Sequence, residues 1–105
     1  MSEQPIAMVA ILTVKSDAAE SFRAFEERAA TVMKKYGGCL ERTLVAKSQP
    51  GEDTFREAHW VTFPSHDAFT AYRADPELAS FQHLREVSVL RTELCHGAPG
   101  PAYGA

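Results

Sequence analysis

Val61-Thr62-Phe63-Pro64-Ser65, running into Ala68-Phe69-Thr70-Ala71-Tyr72 and then Asp75-Pro76-Glu77-Leu78, decides how this chain folds. An alternating strand stops at Pro64, which has no N–H for a sheet ladder, and Ser65 offers a hydroxyl to cap the helix that follows. Asp75-Pro76 then breaks that helix and restarts it, with proline in the first-turn position where its missing N–H costs nothing. A strand of about 87–96 closes the domain.

Upstream of this stretch, Thr54 to Phe63 alternates so that Phe55, Glu57, His59, Val61 and Phe63 share one face and Arg56, Ala58, Trp60 and Thr62 the other. Cys39 to Lys47 reads as a strand returning through the loop Ser48-Gln-Pro-Gly-Glu-Asp53. Before it, Phe22, Phe25, Ala29, Val32, Met33 and Tyr36 fall at helical spacing and Gly37-Gly38 ends the helix. A capping box of Asp17 with Glu20 is expected to start it. Glu26, Glu27, Arg28, Lys34 and Lys35 are read as its solvated face. Ile6 to Val14 is an almost unbroken apolar run, as in a central strand covered on both faces.

The order strand, helix, strand, strand, helix, strand defines an α+β, ferredoxin-like βαββαβ domain with a four-stranded antiparallel sheet over residues 1–96. Residues 97–105, rich in glycine and proline, are expected to form a flexible tail. Two helices can cover only one face of such a sheet. The other, carrying Trp60 or His59 with first-strand apolar residues, calls for a cover, and the economical one is a second copy. The expectation is a homodimer in which two sheets enclose a lumen, a dimeric α/β barrel.

With 105 residues, 45% hydrophobic and 24% charged, the chain has the composition of one globular domain. A net charge of −3 gives no electrostatic reason for nucleic acid or an anionic membrane as partner. The apolar run at 6–14 is too short to span a bilayer and the N-terminus lacks the positive flank of a signal segment, so a cytoplasmic location is expected. Two cysteines, Cys39 and Cys95, suit a reducing compartment and fall on the two sheet edges, too far apart for a bridge. The four histidines show no compact ligand pair and no glycine-rich phosphate loop is present, so no metal and no cofactor are expected.

Tyr36-Gly37-Gly38, Phe63-Pro64-Ser65, Ala68, Tyr72 and Asp75-Pro76-Glu77 resemble the pattern of the DUF1330 family within the dimeric α/β barrel superfamily, over roughly residues 6 to 96. Relatives implied by that resemblance include antibiotic-biosynthesis-type monooxygenases, haem-degrading enzymes, muconolactone isomerases and polyketide cyclases. Where the oxygenases often carry a tryptophan at the end of the third strand and a histidine in the following helix, this chain has Phe63 and Tyr72. Their first-strand asparagine has no counterpart either. An oxygenase or haem assignment is therefore not carried over, and fold alone does not choose a reaction.

His59 is the candidate acid/base, since imidazole titrates near neutrality. Tyr72 is a candidate proton donor to a developing oxyanion. Trp60 and Phe63 are candidate substrate contacts, and Arg42 and Arg91 are cations able to bind substrate or to pair with Glu57 across strands. The leading reading is a small-molecule-binding barrel, with cofactor-independent cyclase or isomerase chemistry by proton transfer on a carbonyl or aromatic substrate. The alternative is a non-catalytic binding or interaction module. The catalytic reading expects His59 and Tyr72 to converge in the lumen; a filled lumen, or burial of both beneath the helices, would sink it and leave a structural or partner-binding module.

Overall fold

The computed structural model describes residues 4–104. Four strands, β1 (Ile6–Lys15), β2 (Cys39–Val45), β3 (Thr54–Phe63) and β4 (Val89–Gly97), form one antiparallel sheet in the order β2-β3-β1-β4. Helix α1 (Ala19–Lys34) joins β1 to β2, and three short helices, α2 (His66–Arg73), α3 (Pro76–Ser80) and α4 (Gln82–Glu86), join β3 to β4. This is the ferredoxin-like α+β architecture.

Helix initiation at 66 and 76 follows the sequence signals. Ser65 Oγ accepts from the Ala68 N–H at 3.1 Å, and Asp75 Oδ1 accepts from the Glu77 N–H at 2.7 Å. The capping box expected at α1 does not form. Residues 16–18 make a 3-10 turn, Lys15 N–H donates to Ser88 O and Ser16 N–H to Asp53 O, and no side chain caps the helix. Backbone bonds to neighbouring segments already fix the chain as it leaves β1, so the Asp17 side chain stays in solvent.

At the other end of α1, Gly37 and Gly38 donate to Lys34 O and Met33 O, with Gly37 at φ +75°. Gly38 has a second constraint: a Cβ there would lie 2.4 Å from both Met33 Cγ and Phe63 Cε1. Gly38→Ala is expected to cost about 1–3 kcal/mol through overpacking, read as a lowered denaturation midpoint. An unchanged midpoint would show that α1 and β3 do not approach so closely.

Register assigns the faces. Ile6 pairs with Phe63, Ala10 with His59 and with Leu94, and Leu40 with Val61, so Met8, Leu12, Val14, Glu57, His59, Val61 and Phe63 all lie beneath the helices. There they pack against Phe22, Phe25, Ala29, Val32, Met33 and Phe81, each no more than 6% exposed. Val9, Ile11, Arg56, Ala58 and Trp60 lie on the opposite, helix-free face, where Trp60 is 40% exposed.

A polar clamp holds the helical layer together. Asp75 accepts from Tyr36 Oη at 2.5 Å and pairs with Lys35 Nζ at 3.0 Å, joining the end of α1 to the start of α3. The tyrosine hydrogen bond, reinforced by Lys35, lowers the Asp75 carboxyl from 3.8 to about 2. A folded-state value below the unfolded one stabilises the fold above the ordinary carboxylate range. That contribution is lost as pH falls from about 4 through 2. Asp75→Asn should therefore unfold at lower temperature than wild type at pH 7, with the gap narrowing near pH 2.5. A gap independent of pH would remove the charge from the account.

Candidate functional site

Between the helices and the sheet lies a cleft of about 530 Å³. Met8, Leu12, Val61 and Phe63 supply its apolar floor, while Phe25, Phe69 and Leu78 line it from the helices. Into this apolar space project a few polar groups: Glu26 from α1, His59 from β3, Tyr72 and Arg73 from α2, and Arg85 from α4. Apolar walls with a small number of convergent polar groups are the usual composition of a small-molecule site.

His59 is 4% exposed and sits between two carboxylates. Its Nε2 lies 3.0 Å from Glu57 Oε1 and its Nδ1 3.6 Å from Glu26 Oε2. The ring stacks beside Phe22, with centroids 6.2 Å apart. The Glu57 contact is of hydrogen-bond length, while the Glu26 contact is a longer approach of the second carboxyl to the ring. Burial raises the Glu26 carboxyl above its ordinary range, opposed by His59 and reinforced by the nearby Glu57. Glu26 is the member best placed to take up and release a proton. The trio also borders a smaller groove of about 290 Å³ on the β2 side of α1, where Glu57, Thr43 and Arg23 form part of the wall.

Tyr72 packs its ring against Phe63, with centroids 5.4 Å apart. Burial pushes its phenol up to about 12, with the Glu26 charge adding and Arg85 opposing. At neutral pH the hydroxyl is a donor and not a base.

The residues singled out from sequence divide between the two faces. His59, Phe63 and Tyr72 line the cleft. Trp60 and Arg42 pair on the helix-free face, and Arg91, opposite Thr13, lies there too, 3.4 Å from Glu93. Trp60 Nε1 donates to Glu41 Oε2 at 3.1 Å. Three expectations are corrected here. His59 lies beneath the helices and not in a lumen on the open face, because the register of β3 turns the face of Phe55, Glu57, His59, Val61 and Phe63 toward them and leaves Trp60 outside. For the same reason Arg42 and Arg91 cannot pair with Glu57 or meet a ligand beside His59. Glu26 is not part of a solvated face: it occupies the step between Phe22 and Ala29 on the inner stripe of α1. That spacing of four and then three residues was the available sequence signal.

Among the described residues no cluster of three metal-ligating side chains occurs, and no helix is long and apolar enough to cross a membrane. Cys39 and Cys95 are free, exposed thiols on the edge strands β2 and β4.

No family profile matches the chain, and no curated protein matches it in sequence. Solved structures do match in fold. A protein of unknown function from Rhodopseudomonas palustris, RPA0582, superposes with a TM-score of 0.79 at 20% identity, over 95% of this chain and 85% of that one. SnoaB, a cofactor-independent oxygenase from Streptomyces nogalater, superposes with a TM-score of 0.68 at 16% identity, over 97% and 99%. A protein of Caulobacter crescentus provisionally named an antibiotic biosynthesis monooxygenase gives 0.70 at 15% identity, over 94% and 92%. At such identities the likeness establishes the ferredoxin-like α+β fold, while the narrower DUF1330 resemblance stands on the sequence motifs alone.

Proposed function

We propose that this protein binds a small, largely apolar aromatic or carbonyl compound in the cleft between helices and sheet and moves a proton on it without a cofactor. The observation that carries the reading is the placing of Glu26, His59 and Tyr72 around one apolar space. The outcome named from sequence as sinking lumen catalysis is the one found, since His59 and Tyr72 both lie on the helix side of the sheet, so the present proposal is a separate one that rests on the cleft they line with Glu26. A homodimer covering the face of Trp60 remains part of the proposal as structural support, not as the chemical site.

In this reading Glu26 is the proton acceptor, because burial has raised its affinity for a proton toward that of a weakly acidic carbon or phenol. His59 is a positioning residue: held by Glu57, its ring stands beside Glu26 and fixes where that carboxyl sits. Tyr72, whose proton is firmly held, donates to the oxygen on which negative charge develops. That SnoaB, a protein of the same fold, is a cofactor-independent oxygenase is compatible with chemistry that needs no prosthetic group.

The test uses 2-tetralone, a ring-fused ketone with exchangeable protons beside its carbonyl, in deuterated buffer followed by proton NMR. The protein is expected to accelerate exchange, with Glu26→Gln and Tyr72→Phe each losing about 10²–10⁴-fold of the enhancement. Binding of 2-tetralone without acceleration would replace catalysis by the non-catalytic binding module. Failure to bind would overturn the cleft as a ligand site.

A further inference from the structure

The chain as a whole is acidic, with a net charge of −3, yet the mouth of the cleft is cationic. Arg73 and Arg85 both line it, and Glu26, already shared with His59, is the single carboxylate among its described lining residues. Neither guanidinium forms an ion pair with a carboxylate among the described residues. Arg73 lies over the Phe69 ring, 5.6 Å from its centroid, and Arg85 donates from Nη2 to Thr92 Oγ1 at 2.5 Å, reaching from α4 to β4. A guanidinium has five N–H donors, so this contact fixes Arg85 in place while leaving donors for another acceptor. The dipole of α4 does not account for Arg85, because a helix of five residues has little of one.

The Arg85 charge is felt deep in the cleft as well: it opposes the upward shift of both Glu26 and Tyr72. One cation thus stands within electrostatic reach of both groups assigned to proton transfer. A neutral ligand would leave the half-buried Arg85 guanidinium beside it without a counter-charge, while Arg73 is exposed.

We propose that the ligand of the cleft is an aromatic acid, whose ring system fills the apolar floor and whose carboxylate is bound at the mouth by Arg85, with Arg73 assisting. Arg85 is then the residue that selects anionic over neutral substrates. This rests on the cleft being the ligand site and narrows what it takes.

Two fluorescent probes of matched shape separate the claims: anthracene-9-carboxylate and its neutral counterpart 9-anthracenemethanol, each titrated against the full chain. The acid is expected to bind roughly 10–100-fold more tightly than the alcohol, with the preference weakening as salt is raised. Arg85→Gln should lower the acid's affinity far more than the alcohol's and so remove most of that preference, and Arg85→Lys should restore part of it. Equal binding of both probes overturns the anion assignment and leaves the cleft standing. So does a preference that survives in the Arg73→Gln, Arg85→Gln double variant, whereas one lost in Arg42→Gln or Arg91→Gln places binding on the opposite face and overturns the cleft as well. Binding of neither probe takes the cleft down with it.

Discussion

Replacing His59 by leucine should destabilise the protein by about 2–4 kcal/mol at pH 8 and by much less near pH 5. Leucine is close to an imidazole side chain in volume and replaces a ring that stacks beside Phe22, so the expected loss is not chiefly one of packing. Its source is the pair of carboxylates left behind: Glu57 and Glu26, with side chains only 11% and 22% exposed, would face one another with no imidazole between them. Arg23 and Arg85 border the trio from the two sides of α1 and offset part of the cost. Burial raises the Glu26 carboxyl and His59 opposes that, so without His59 it binds a proton more readily folded than unfolded and stability returns as pH falls. Adding Glu26→Gln and Glu57→Gln to His59→Leu should recover most of the loss at pH 8. Thermal melts of wild type, His59→Leu and the triple variant across pH 5–8 check this. A deficit that neither pH nor the glutamines relieve would mean that the trio is ordinary core packing.

Phe63→Ala is expected to have the larger effect, about 3–5 kcal/mol, because it empties a buried volume that several elements share. The ring is 2% exposed, touches Met33 and Gly38 at the end of α1, and meets Phe69 and Tyr72 of α2 at centroid distances of 5.3 and 5.4 Å. For a domain of this size the melting temperature should fall on the order of 15–25 °C. Phe63→Leu, which keeps most of the volume, should lose less than half as much. The same ring lines the cleft, so Phe63 joins site and core. A fall of only a few degrees for Phe63→Ala would mean that the cleft floor is not continuous with the core.

The parts of this architecture written in local chemistry were legible from the chain. Proline and serine at 64–65 and aspartate and proline at 75–76 act through steric limits and side-chain caps that need no tertiary partner, and they appear where the sequence places them. The alternation of β3 likewise separated Glu57 and His59 from Trp60. Alternation cannot say which face receives the helices, because both carried large rings. The assignment of His59 to the open face failed on that ambiguity. Glu26 was hidden for a different reason: charge on a helix usually marks solvent, and its place in the inner stripe gains meaning only when His59 is seen opposite. Arg85 becomes part of a site only once three short helices fold back over the sheet, with β4 reaching it through Thr92. Contacts made by residues distant in sequence leave no local signature.

The most direct test of the central claim is amide and indole chemical-shift mapping of the ¹⁵N-labelled protein titrated with 2-tetralone and, separately, with anthracene-9-carboxylate. If the cleft is the ligand site, the shifts gather on Phe69, Tyr72, Val61, His59 and Arg85, while the Trp60 indole N–H, on the opposite face of the sheet, stays where it was. Shifts centred on Trp60, Arg42 and Arg91 with Tyr72 unmoved would place binding on the helix-free face and contradict the account.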